Sequence, residues 1–142
     1  MSILNDIALL IFRVVISAFM MFAHGLGKFN RLFSGEEIKF FDPFGLGPTF
    51  SLSLAVLSEF IAAGLIILGI ITRLSSVTLI ITMGVAAFIF HADDPFGSKE
   101  KALLFLASYV LLFLTGPGKF SLQSMIEKKT SYSNPFLKFI LG

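Results

Sequence analysis

The stretch from Ser51 to Ile71, SLSLAVLSEFIAAGLIILGII, contains one charged residue, Glu59. A helix needs about 20 largely apolar residues to cross the hydrocarbon core of a bilayer, and this stretch is long enough. It therefore predicts a transmembrane helix. A charged side chain at mid-membrane costs about 2.5–3.5 kcal/mol on insertion scales. We therefore expect Glu59 to face a partner inside a bundle of helices.

Three further stretches have the same character. Together the predicted helices cover about residues 6–26, 51–71, 75–91 and 99–115. The first has Arg13 inside its apolar run, the third has no charge, and the fourth has charges only at its start. The fold class that follows is all-α: an integral membrane four-helix bundle over residues 1–128, with a C-terminal amphipathic tail over residues 129–142.

Composition excludes several classes of protein. Of the 142 residues, 56% are hydrophobic and 14% are charged, whereas a soluble domain has about 25% charged residues. The chain has no cysteine, so thiol chemistry and cysteine-ligated iron–sulfur clusters are excluded on this chain, and we predict no haem. The net charge of +2 comes with lysines beside apolar segments. Membrane lipids account for that placement, and we predict no nucleic-acid partner.

The segments outside the four predicted helices carry helix signals of their own. Ser34 and Glu37 have the spacing of a capping box, which predicts a short interfacial helix between the first two helices. The DPFG turn at residues 42–45 should end it. After the GPG sequence at residues 116–118, apolar residues recur with helical spacing beside lysines. We expect that tail to lie along the membrane surface.

The topology is predicted from the ends and the loops. The N-terminal MSILND sequence has no basic region and no small-x-small cleavage site follows, which predicts a retained helix and not a signal peptide. Basic residues divide evenly between the two faces, but Arg13 lies nearer the face with the termini and the acidic loop residues lie on the other. We therefore predict that both termini are cytoplasmic.

Arg13 and Glu59 are predicted to form an ion pair. If the first helix ends near His24 and the second begins near Ser51, the two charges lie within a few ångströms of the same depth. One interpretation is structural, because a buried ion pair fixes the register of two helices. The other is that Glu59 transfers protons, with its proton affinity set by burial and by Arg13.

A candidate catalytic site lies at the rim away from the termini. His24 closes the first predicted helix, His91 closes the third, and Glu100 opens the fourth. With Glu59 they would border a small-molecule pocket as proton-transfer residues. The alternative is that both histidines interact favourably with the dipoles at helix C-termini, while Glu100 is a solvated surface charge. Their spacing is not local, so we predict no metal site.

Aromatic residues cluster beside this rim. Phenylalanine occurs 18 times and tryptophan never. Lys28, Phe29 and Phe44 are the candidates for binding a cofactor, and rings of this kind suit a quinone and its isoprenoid tail. The alternative is that the rings face lipid, where an apolar aromatic surface has no cost.

With these residues identified, the chain resembles the DoxX family of small four-helix membrane proteins over about residues 6–126. The resemblance rests on Arg13, HGLGK at 24–28, Glu59, His91 with DPF at 94–96, EKA at 100–102 and GPGKFSL at 116–122. The family usually has an acidic residue after Ser-Leu, where this chain has Gln123. The resemblance implies a bacterial inner-membrane location and membrane redox work, since some members resemble subunits of quinone-linked oxidoreductases.

These observations leave competing hypotheses on function. The first is a quinone-linked redox subunit that depends on protein partners for electrons, because no group on this chain holds them. The second is a non-catalytic accessory or assembly subunit of a larger membrane complex. A third, a solute or proton pathway, needs a polar stripe through the full depth of the membrane, and the third helix offers only serines and threonines in one half. A homo-oligomer is compatible with each hypothesis.

Overall fold

The computed structural model describes residues 2–129, and over this range the chain is helical without a strand. Its helices are α1 (Ile3–Leu32), α2 (Pro48–Leu68), α3 (Thr72–Phe90), α4 (Phe96–Thr115) and α5 (Leu122–Lys129). The predicted tail over 129–142 lies outside the described residues from residue 130 onward.

Three of these helices are long and apolar enough to cross a membrane: α1 with 30 residues, α2 with 21 and α3 with 19. Helix α4 has 20 residues, but Lys99, Glu100 and Lys101 lie in its first two turns. The apolar runs of the sequence therefore predict the positions of the helices well. The largest difference in bounds is the C-terminal end of α1, which continues past residue 26 to Leu32.

The connection from α1 to α2 does not contain the predicted interfacial helix. Ser34 instead closes α1, because its hydroxyl donates to the Arg31 carbonyl oxygen at 2.9 Å and accepts from the Glu36 N–H at 3.2 Å. Asp42 then organises the start of α2. Its carboxylate accepts hydrogen bonds from the Ser51 hydroxyl and the Gly47 N–H, both at 2.7 Å, and these bonds hold the pKa of Asp42 below its usual range.

The helices pack as two antiparallel pairs, α1 against α2 and α3 against α4, with α2 also packing against α3. The fully buried apolar side chains include Met20, Ile66, Leu79 and Leu112. Helix α5 folds back beneath α2, where the Gln123 N–H donates to the Gly69 carbonyl oxygen at 3.1 Å. One end of the bundle is thus closed by the segment after α4, and the opposite end carries the candidate site.

Candidate functional site

A π-helical turn interrupts each of α1, α2 and α3. These turns span Met20–Gly25, Leu57–Ala62 and Ala86–Phe90. His24 lies in the first, Glu59 lies in the second, and His91 directly follows the third. A π turn adds one residue to a helical turn and is frequent at functional sites. Three such turns beside three candidate residues distinguish this end of the bundle from the other.

Gly25 brings the first two π turns into backbone contact. A Cβ atom at Gly25 would collide with the Glu59 carbonyl group, lying 2.6 Å from its carbon atom, and would lie 2.8 Å from the Phe60 nitrogen. Only glycine permits this approach. The contact fixes the depth of Glu59 relative to α1, and α1 continues as a helix beyond it.

Glu59 pairs with Lys28 and not with Arg13. The Lys28 ammonium group donates to the Glu59 carboxylate, and the two side chains are 27% and 6% exposed. The predicted Arg13–Glu59 ion pair is therefore wrong. It assumed that α1 ends near His24, whereas the helix continues and Gly25 lies level with Glu59. Arg13 is then about 18 Å further along the helix, at about 1.5 Å per residue.

Arg13 serves the opposite end of the bundle. Its side chain is buried and donates to the carbonyl oxygens of Pro117 and, at 3.0 Å, of Phe120. A nearby ion pair joins Lys119 to the buried Asp6 carboxylate at 3.0 Å. Arg13 and Asp6 thus attach the segment after α4 to α1, which is a structural role.

The candidate site is a partly open cavity of about 480 Å³. Polar groups gather along it among aromatic and aliphatic side chains. Its lining includes His24, Lys28, Phe40, Phe41, Phe44, Ser51, Glu59, Thr82, Phe90, His91, Ser98, Lys101 and Phe105. Cavities of this size and composition are typical of small-molecule sites, in which a few polar groups orient a mostly apolar ligand.

Both histidines line the cavity. The His24 ring packs edge-on against Phe105, with ring centroids 5.5 Å apart. Nδ1 of His91 lies 2.6 Å from the Asp94 carboxylate, and the His91 ring packs edge-on against Phe90. The interpretation of His24 as a helix end is wrong, because α1 runs through it to Leu32. His91 does follow the last turn of α3, as predicted.

Two of the predicted site residues lie elsewhere. Glu100 is exposed on α4 and is absent from the cavity lining. Phe29 also lies outside the lining, where it stacks on Phe60 with ring centroids 4.7 Å apart. In contrast, Lys28 and Phe44, the other two residues predicted to bind a cofactor, are part of the cavity wall.

Sequence reasoning expected α4 to contribute Glu100 and missed the residues of α4 that line the cavity. Ser98, Lys101, Ala102 and Phe105 all line the cavity. Their separations of three and four residues place them on one face of the helix. Glu100 points away because it falls off that stripe. The helical spacing of these residues in the sequence could therefore have predicted that Lys101 lines the site. Lys101 has no ion-pair partner among residues 2–129.

Known proteins resemble this chain along nearly its whole length. An uncharacterized protein of Haemophilus influenzae is 33% identical over 143 aligned residues, covering 96% of this chain and 93% of that protein. The inner membrane protein YqjF of Escherichia coli is 30% identical over 135 residues, covering 89% and 97%. No solved structure matches significantly. The DoxX family profile matches residues 8–92, which hold most of α1 and all of α2 and α3 with their π turns, and this membrane protein belongs to the DoxX family.

Proposed function

We propose that this protein is an inner-membrane, quinone-linked redox subunit that works with partner proteins. The observation that carries the proposal is the cavity, in which an ion pair and two imidazoles lie among aromatic rings. The inner-membrane location is supported by the similarity to YqjF. We further propose that α4 is the fourth spanning helix, because it has no charged residue from 102 to 115 and Lys99 and Lys101 can extend to the headgroups.

The residues of the cavity suit a quinone. A volume of about 480 Å³ lies within the range for drug-sized ligands, about 300–1,000 Å³. The Lys101 ammonium group and the His24 imidazole are hydrogen-bond donors for carbonyl oxygens, and Phe41, Phe44 and Phe90 provide the flat apolar wall. A bound quinone would supply the redox chemistry, with electrons exchanged with a partner.

Side chains of this protein would accept and transfer the protons. Glu59 is the buried carboxylate of the cavity, so it is the group to accept a proton released at the polar end. Lys28 balances its charge until that proton arrives. His24 and His91 line the same cavity, and an imidazole ring can both donate and accept a hydrogen bond. A proton would then pass from Glu59 to His24 and from His24 to water at the membrane surface.

The test is purification in lipid nanodiscs with native partners, followed by lipid extraction and mass spectrometry of both quinone and protein. We expect quinone to be retained in wild type, and Glu59→Gln to lower the turnover of the associated complex at least tenfold. Glu100→Gln is the matched control, since that carboxylate lies outside the cavity, and it should leave turnover unchanged. Absence of quinone from wild type, or normal turnover in Glu59→Gln, would refute the proposal.

A specific observation favours a second function, that of an accessory subunit. Large apolar side chains are exposed around the α1–α2 connection, among them Phe33, Phe44, Leu46 and Phe50. Such side chains suit docking onto another membrane protein. This function predicts stoichiometric copurification with a larger complex, and full activity when His24 or His91 is replaced by alanine. The same preparation therefore separates the two functions.

A further inference from the structure

His91 lines the cavity and is paired with a carboxylate that does not. Its Nδ1 atom lies 2.6 Å from a carboxylate oxygen of Asp94, and Asp94 is absent from the cavity lining. The other histidine of the cavity differs in this respect, because the ring nitrogens of His24 make no hydrogen bond to any residue between 2 and 129. The proton route proposed above runs through His24, so it leaves the His91–Asp94 pair without a role.

The turn between α3 and α4 holds this pair in place. The Asp94 N–H donates to the His91 carbonyl oxygen at 3.1 Å. The Lys99 ammonium group reaches back from α4 and donates to the Ala92 carbonyl oxygen at 2.6 Å. The His91 ring packs edge-on against Phe90, with ring centroids 4.6 Å apart. The ring is thus restrained by a carboxylate and by an aromatic side chain of the cavity wall.

The contact between Nδ1 and Asp94 decides which ring nitrogen carries the hydrogen. An ionised carboxylate has only acceptors, so a separation of 2.6 Å requires that Nδ1 of His91 donates. In the neutral ring, Nε2 then has no hydrogen and offers a lone pair. Nε2 is also the ring nitrogen that remains for a ligand of the cavity that His91 lines.

The stability of the fold is a weak reason for this pair. The side chains of His91 and Asp94 are 27% and 48% exposed, and pairs that solvent reaches contribute little to folding. An acceptor nitrogen does, however, add to the chemistry of the cavity. Lys101 of the lining offers only donors, which suit carbonyl oxygens, whereas an acceptor suits a hydroxyl group.

We propose that Asp94 is a positioning residue that fixes His91 in the tautomer with the hydrogen on Nδ1, so that Nε2 accepts a hydrogen bond from a ligand hydroxyl. This inference rests on the proposed function and specifies its ligand, because the reduced form of a quinone carries hydroxyl groups where the oxidised form carries carbonyl oxygens. A carbonyl oxygen has no hydrogen to donate to Nε2. The His91–Asp94 pair therefore favours binding of the quinol.

The first experiment is solid-state nitrogen NMR of histidine-labelled protein in lipid bilayers, in mildly alkaline solution, where imidazole is neutral. The His91 signals are assigned by their loss in His91→Gln. We expect wild type to carry the hydrogen on Nδ1, and Asp94→Ala to shift His91 toward the Nε2–H tautomer that free histidine prefers. Asp93→Ala is the matched control, because Asp93 is exposed in the same turn and has no hydrogen bond or ion pair with any residue between 2 and 129. It should leave the His91 signals unchanged.

The second experiment compares the affinities of the same proteins for duroquinol and duroquinone without oxygen. Loss of one hydrogen bond should make Asp94→Ala bind duroquinol about fivefold more weakly, whereas its affinity for duroquinone should not fall. Asp93→Ala should bind both compounds as wild type does.

A wild-type His91 with its hydrogen on Nε2 would overturn the inference whether or not any variant folds. So would an Asp94→Ala protein that keeps the wild-type tautomer, or one that binds both compounds equally more weakly. A merely structural Asp94 would change the unfolding temperature and leave the tautomer and the ratio of the two affinities unchanged. If neither compound binds wild type, the proposed function fails and the quinol preference fails with it, whereas the NMR spectrum tests the role of Asp94 without any ligand.

Discussion

The Lys28 ammonium group pairs with the Glu59 carboxylate in the wall of a cavity, and the two charges differ in their access to solvent. Lys28 is 27% exposed and Glu59 is 6% exposed. Lys28 can therefore turn toward water when its partner is lost, whereas Glu59 cannot. The pair is asymmetric, and that asymmetry is measurable.

The first prediction is that Lys28→Gln destabilises the protein more than Glu59→Gln does. Lys28→Gln leaves a buried carboxylate without a cation, at a cost of about 1–3 kcal/mol once the partial exposure of Lys28 is allowed for. Glu59→Gln leaves a lysine that can reach solvent. Unfolding by denaturant, followed by circular dichroism, gives both values. The double variant should recover most of the loss, and strictly additive losses would mean that the two groups do not interact.

The apolar runs are sufficient to predict the helices, because spanning a bilayer demands length and hydrophobicity and little else. They do not predict which side chains meet. The predicted Arg13–Glu59 ion pair was wrong because it assumed that α1 ends near His24, level with the start of α2. In the structure, the residue of α1 at the depth of Glu59 is Gly25. A glycine without space for a Cβ atom has no signature in hydropathy.

The candidate site was predicted only in part. His24, Glu59 and His91 all line the cavity, because ionisable residues near the membrane are few and gather where they can be solvated or paired. Phe29 was misplaced because it was chosen for its nearness in sequence to the rim, and nearness in sequence does not determine the face of a helix on which a side chain lies. Lys101 was within reach of sequence reasoning, since its stripe on α4 is regular.

The second prediction concerns the contact between the π turns. Gly25→Ala introduces a Cβ atom that collides with the backbone at Glu59, so α1 and α2 must separate. We expect a loss of about 1–3 kcal/mol in unfolding free energy, as for an overpacked core. Gly27→Ala is the matched control, because a Cβ atom there meets nothing within 4 Å. It should be neutral or stabilising by up to about 1 kcal/mol through helix propensity. Equal effects of the two changes would contradict the close approach.

The third prediction concerns the other end of the bundle. Arg13→Lys removes the planar fork that donates to the carbonyl oxygens of Pro117 and Phe120, and an ammonium group does not reproduce that geometry. Losing about 1.5–3 kcal/mol of charged hydrogen bonding should raise amide exchange in the segment after α4 by about 10- to 100-fold. The Gln123 N–H, bonded to the Gly69 carbonyl oxygen, is the reporter amide.

Arg31→Lys provides the comparison for that measurement. Arg31 is exposed and its contact is a single long hydrogen bond of 3.4 Å to the Lys39 carbonyl oxygen. Its replacement should leave exchange at Gln123 unchanged. The candidate cavity should also keep its shape in Arg13→Lys, because Arg13 does not line it. Unchanged exchange at Gln123 in Arg13→Lys would remove the structural role assigned to Arg13.

The last prediction is a pH dependence at the entrance of α2. The Ser51 hydroxyl and the Gly47 N–H stabilise the charged form of Asp42 and lower its pKa in the folded protein. A carboxyl group with a lowered folded-state pKa stabilises the fold above its ordinary pKa, and this contribution is lost as the pH falls through the folded value. Asp42→Asn should therefore be less stable than wild type at neutral pH, with the difference disappearing in acid.

Thermal unfolding of wild type, Asp42→Asn and Asp93→Asn across the acidic range tests this directly. Asp93 is the matched control, since it is exposed in the α3–α4 connection and has no hydrogen bond or ion pair with any residue between 2 and 129. Its replacement should shift the unfolding temperature little at any pH. The α1–α2 connection brings Phe40, Phe41 and Phe44 into the cavity wall, so loosening it at low pH should also weaken retention of the proposed quinone. A stability gap for Asp42→Asn that persists in acid would mean that the amide fails for steric reasons and not for its lost charge.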